Sequence, residues 1–281
     1  MQQAQLRFYG AYDPSFLFRK VDLLYAAYKH RPEFRRFVAE MGGTEDSTND
    51  QSFTGLAAEM YCSTFQQFES LFALLVAVFQ PLPHWVFLTR YRTQEIVVKI
   101  QAFAGGAFAE ATSGACVSAR DFAAKTVYAG VPEVRENPLY ERTLDDIGWF
   151  LANMAARYLA GRGEYNAYKH GLRVLAGDGA TLAIDTGAGT GNFQPIISMG
   201  HSVSFLEIED RPEDYVAKEV TKEIDAEDSF HAMYIMCEIA KTTCKIRLAA
   251  LRGEPIEIPA WTIDREGIAR LRPVSSFSFP L

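Results

Sequence analysis

The spacing of apolar positions divides this chain near residue 171. Before that point apolar residues recur at steps of three and four, as they do on helices that bury one stripe. Asp13-Pro14 predicts a helix start running to about His30, with Asp as cap and Pro in the first turn. Arg31-Pro32 restarts a short helix that interleaves Phe34, Phe37 and Val38 with Arg31, Arg35 and Arg36. A polar loop over 42–51 leads into a long helix from about Ser52 to Phe79, whose wide apolar face (Leu56, Met60, Tyr61, Phe65, Phe68, Leu71, Phe72, Leu75) marks it as central. Pro81 and Pro83 end it, and His84 to Phe87 read as an aromatic link to a helix from Thr93 to Gly105. Ser118 caps a further helix to about Ala129. Leu139 to Leu159 is the clearest: Leu144, Ile147, Leu151, Met154 and Tyr158 make its stripe, with Asp145, Asp146, Asn153 and Arg157 off it.

Gly161 and Gly163 interrupt that pattern before it resumes over Glu164 to His170. From Leu172 the texture changes to strand-like runs separated by glycines. Alternation at Leu182 and Ile184, and at Val203 and Phe205, predicts a small hairpin with a long glycine-rich tip. Tyr215 to Ile224 fits either period, and its β-branched residues favour a strand. Glu227 to Arg252 reads as a helix with acids at its start and bases at its end, after which the tail from 253 to 281 looks irregular.

The fold class that follows is mainly α (α+β): a helical bundle over about 12–171, a small antiparallel β-hairpin insertion over about 172–222, and a last long helix at about 227–252. Helices flanking the insertion should pack together as one composite domain.

Composition narrows the function classes. The net charge of -7 argues against a surface devoted to nucleic acid or anionic membrane, which would need an excess of Lys and Arg. A local basic face around Arg31 to Arg36 would still suit phosphate or an acidic partner. Cysteines at 62, 116, 237 and 244 form no Cys-x-x-Cys pair, so a reduced, cytoplasmic setting without a metal site is expected. The start lacks a signal-peptide pattern, and the apolar run Leu71 to Phe79 is far shorter than a membrane span, so no membrane partner is expected.

Two stretches carry candidate chemistry. Asn166, Lys169 and His170 lie at i, i+3 and i+4, on one helix face, with Arg162 one turn earlier. A helix C-terminus, with Lys169 and His170 on its last carbonyls, accounts for the same residues. The segment from Arg162 to His170 resembles the closing helix of HEPN-type domains, small helical bundles of prokaryotic defence and toxin systems, some of them metal-independent ribonucleases. The resemblance implies an RNA-directed role in which His170 is acid or base and Arg162 stabilises phosphorane-like charge, with Asn166 and Lys169 beside them. It also implies pairing, as a homodimer or with another protein. Gly163 stands where the family has a polar residue.

The run Ile184-Asp-Thr-Gly-Ala-Gly-Thr-Gly191 resembles the first motif of S-adenosylmethionine-dependent methyltransferases. That implies a cofactor held by Asp185, Gly187, Gly189 and Gly191, with Glu207 or Glu209 on the ribose. The fold needs several more strand-helix units than the segment after Glu209 holds, and a glycine-rich hairpin tip makes the same string. A non-enzymatic interaction or regulatory module, using no cofactor, is the third class. His84, His201 and His231 carry no comparable pattern.

Overall fold

A computed structural model describes all residues except 1, 45–47, 132–133, 135–137, 170–173, 179–180, 186–192, 199, 212–213, 256–257, 261, 266–275 and 281. The described chain is mainly α, a helical bundle with an antiparallel β insertion ahead of the last long helix. Its helices are α1 (Gln2–Ala11), α2 (Phe16–Lys29), α3 (Arg31–Glu40), α4 (Asp50–Val76), α5 (His84–Arg90), α6 (Thr93–Ala104), α7 (Phe108–Ala111), α8 (Ala119–Thr126), α9 (Pro138–Ala160), α10 (Arg162–Lys169) and α11 (Ala226–Arg252). Two compact units share the chain: residues 1–19, 65–161 and 231–269 form the first, and 20–64, 162–230 and 270–281 the second. The division falls within α2, α4 and α11.

The helix starts follow local chemistry. The Ser118 side chain accepts the Asp121 N–H at 3.0 Å and so caps α8. Asp225 accepts the N–H groups of Glu227 at 2.8 Å and Asp228 at 3.1 Å at the start of α11. α4 begins slightly earlier than its apolar pattern, with the Asn49 carboxamide taking the Ser52 N–H at 2.9 Å. These contacts satisfy the donors that every helix leaves free in its first turn.

In the first unit, α9 packs on α6 and α8. Phe72 sits among Phe68, Phe103 and Phe122, with ring centroids 5.5 to 5.8 Å away, and Tyr158 lies 5.8 Å from Phe68. Each buried aromatic contributes about 1.5 to 3 kcal/mol of transfer free energy, which makes this cluster the unit's core. The α9 stripe is buried as its spacing predicts. Asp146, expected off that stripe, is buried as well: it accepts the Ile263 N–H at 3.1 Å and Arg265 Nε at 2.7 Å, which holds the segment after α11.

In the second unit the strands are β1 (Val174–Asp178), β2 (Thr181–Asp185), β3 (Phe193–Ser198), β4 (His201–Arg211), β5 (Asp214–Glu223) and β6 (Ser276–Pro280). One sheet has the order β1-β4-β5-β6 and the other pairs β2 with β3; every described pair is antiparallel. α10 packs on β4 and β1, and Ala167 of α10 meets Phe205 and Val220.

Three expectations need correction, and one further element, α1, carried no expectation. The residues at 181–185 pair with Phe193–Ser198, while 201–211 pairs with β1 and β5, because alternation fixes which face a strand buries and leaves its partner open. His84 to Phe87 is the start of α5, since Pro83 suits the position before a first turn as well as it suits a break. The tail ends in β6, where Phe277 and Phe279 alternate with Ser276 and Ser278. Gln2–Ala11 is helical although its pattern carries little amphipathic signal and no acid in its first turn.

Candidate functional site

α10 is short because Gly161 breaks the helix after α9, and its residues part into two faces. Glu164, Tyr165 and Ala167 are buried, whereas Gly163, Asn166 and Lys169 are exposed and Arg162 is half-buried. Asn166 and Lys169 therefore share an outer face, as their i, i+3 spacing predicts, with Lys169 Nζ 4.1 Å from the centroid of the Tyr165 ring. His170, the residue expected to act as acid or base, lies outside the described residues, as do Gly187, Gly189 and Gly191. Asp185 ends β2 opposite Phe193, and Glu207 pairs with Lys218 in β4 and β5; nothing is described of the side chains of Asp185 and Glu207. The described strands thus form antiparallel sheets, where the methyltransferase resemblance implies a parallel one.

The inner face of α10 holds a group that sequence reasoning passed over. Glu164 is 1% exposed, and its carboxylate accepts the Tyr61 hydroxyl at 2.8 Å and Lys222 Nζ at 2.9 and 3.0 Å. A buried carboxylate is tolerated only when paired and hydrogen-bonded, and Lys222 from β5 and Tyr61 from α4 supply both conditions. Nothing in the spacing of 61, 164 and 222 announces that they meet.

A second polar cluster lies beside it. Glu59 accepts hydrogen bonds from Lys20 and Tyr168, and from Ser63 at 3.4 Å. Burial acts to raise the Glu59 carboxyl, but Lys20, Tyr168 and Ser63 outweigh it and hold the group below the usual carboxylate range. Burial pushes the Cys62 thiol up, and the negative charges of Glu59 and Glu164 push it further, so Cys62 stays a protonated thiol. These carboxylates accept from neighbours on the protein, which suits fastening α4, α10 and β5 together.

α3 also has two distinct faces. On the inner one, Arg31 Nη2 lies 3.3 Å from His201 Nε2, and its guanidinium is 4.7 Å from the Tyr28 ring and 5.0 Å from the Phe53 ring. Arginine only donates, so His201 Nε2 accepts and its Nδ1–H donates to Thr54 Oγ1 at 2.9 Å. Arg35 Nε donates to the Thr48 carbonyl at 2.8 Å and Nη2 to Asp50 at 2.9 Å. On the outer face lie Glu33, Arg36, Phe37 and Glu40, with Met41 just past the helix end; Phe37 is 57% exposed and Met41 73%. No residue of α3 is buried.

One helix region, residues 50–79, is long and apolar enough to cross a membrane, and 78% of its most apolar window is buried in the protein. Among the described residues no cluster of three or more His, Cys, Asp or Glu is placed to hold a metal ion. In comparisons with protein-family models, curated proteins and solved structures, nothing matches this chain. The HEPN and methyltransferase resemblances therefore rest on the residues quoted for them.

Proposed function

We propose that the chain is a binding module without chemistry of its own, and that α3 is the element it presents to a protein partner. The division of labour on α3 carries this reading. Arg31 and Arg35 are committed to aromatic rings, carbonyls and Asp50, and they hold the helix in place. Arg36, Phe37 and Met41 stand outside, and these three residue types are enriched where protein interfaces bury their centres. Glu33 and Glu40 share that face, and the chain carries a net charge of -7, so a polyanion suits it less well than a protein with an apolar contact centre and a mixed-charge rim.

A photocrosslinking residue at Phe37, in the full chain in living cells, tests this directly. The expected result is a discrete protein adduct that disappears with Met41→Asp and is missing when the crosslinker replaces the equally exposed Val98. Sedimentation equilibrium then says whether the partner is a second copy. Absence of an adduct at Phe37, or the same adducts at Phe37 and Val98, overturns the reading.

The exposure of Asn166 and Lys169 on one face, just before His170, supports a second reading: an RNA-directed role of the kind the HEPN resemblance implies. Under it, Lys169 and Arg162 contact phosphate and His170 moves the proton. His170→Ala should then abolish metal-independent cleavage of single-stranded RNA while leaving the melting temperature nearly unchanged. A wild-type protein that cleaves no RNA removes this reading.

A further inference from the structure

The first unit contains a cavity of about 150 Å³ lined by Gln5, Tyr9, His84, Arg247, Ala250 and Leu251. It lies among α1, α5 and α11. The Tyr9 hydroxyl is 2.6 Å from His84 Nδ1, so those two side chains are joined to each other. Arg247 spends Nη2 on the carbonyls of Lys125 at 2.6 Å and Thr126 at 3.2 Å, at the end of α8. Its Nε is enclosed and meets no hydrogen-bond partner among the described residues.

A guanidinium keeps its charge at any ordinary pH, and a charge removed from water is costly unless something opposes it. The carbonyl ends of α8 offset part of that charge through the helix dipole, and among the described residues no carboxylate is paired with Arg247. Burial lowers the affinity of Arg247 for its proton, and its field together with burial keeps His84 neutral. The cavity therefore offers one positive charge, hydrogen-bonding groups on Gln5, Tyr9 and His84, and two aliphatic walls.

From this we infer that the cavity is a binding site for a small monocarboxylate with a short apolar tail. One positive charge matches one carboxylate, whereas a doubly charged phosphate would bring a second charge with no cation opposite it. Carboxylate oxygens suit the guanidinium and the Gln5 amide, and a tail of a few carbons fits against Ala250 and Leu251. The volume holds about five waters at their liquid density, or a molecule of about six heavy atoms. This site shares no residue with α3, so its test and that of the binding surface fail independently.

Calorimetric titration of the full chain with sodium butyrate, at fixed ionic strength made up with chloride, tests the inference. Butyrate should bind saturably, and roughly 10- to 100-fold more tightly than its neutral counterpart 1-butanol or than inorganic phosphate, the worth of one charge-assisted hydrogen bond. Arg247→Met should lose that preference. Because it also removes the bonds to α8, Leu251→Trp serves beside it: it fills the cavity, keeps the guanidinium and should abolish butyrate binding. The inference is overturned if butyrate gives no saturable heat, if butanol or phosphate binds as well, or if butyrate binding survives in Leu251→Trp.

Discussion

His84 shows how far a single side chain can depend on its surroundings. Burial and the nearby Arg247 charge take its proton affinity from the usual 6.5 down to about 4. The unfolded chain therefore takes up this proton first as the pH falls. The stabilising effect of the neutral ring is complete above about pH 6.5, declines as the pH drops below that and is gone below about 4. Allowing for partial exposure, the difference is on the order of 2 kcal/mol. Urea denaturation at about pH 7 and about pH 4.5 should show wild type losing more stability than His84→Gln, which keeps a hydrogen-bonding group toward Tyr9 but does not titrate. Equal losses in the two proteins would show that folding leaves the proton affinity of His84 where it stands in the unfolded chain. The sequence offered His84 only as a neighbour of Trp85 in a Pro-rich stretch, because Tyr9 and Arg247 lie far from it along the chain.

At the scale of elements, the break between α9 and α10 decides which groups face inward. A Cβ at Gly161 would sit 2.3 Å from Cζ of Phe65, a fully buried ring. Alanine at such a position normally gains up to about 1 kcal/mol in helix propensity. Here the overlap costs more, typically about 1 to 3 kcal/mol, because a packed ring cannot move without disturbing its neighbours. Gly161→Ala should thus lower thermal stability, and Gly161→Ala with Phe65→Leu should recover part of the loss; a more stable single variant would mean that Phe65 swings aside at little cost. The helices were largely legible, since caps such as Ser118 and stripes such as that of α9 are local. Strand pairing was not, because Leu182 and Ile184 announce a buried face but carry no address for Phe193–Ser198. The shared face of Asn166 and Lys169 was likewise legible from their spacing, while nothing local to Glu164 pointed to Tyr61 and Lys222, the distant partners that let it be buried.

For the whole molecule, the main fact is that each unit is assembled from three separated stretches of sequence. A mainly α chain with an antiparallel insertion could be foreseen from pattern alone, whereas this interleaving depends on contacts between distant residues. It bears on how the protein comes off the ribosome. At about 5 to 20 residues per second, synthesis of this chain takes roughly 15 to 55 s. The first unit is unfinished until the stretch that ends near residue 269 has emerged, and the second until β6 can join β5. Through most of that interval the apolar sides of α4 lack their final neighbours, so a nascent chain has reason to engage chaperones, and a stop codon anywhere before β6 would leave β5 as an unpaired edge strand.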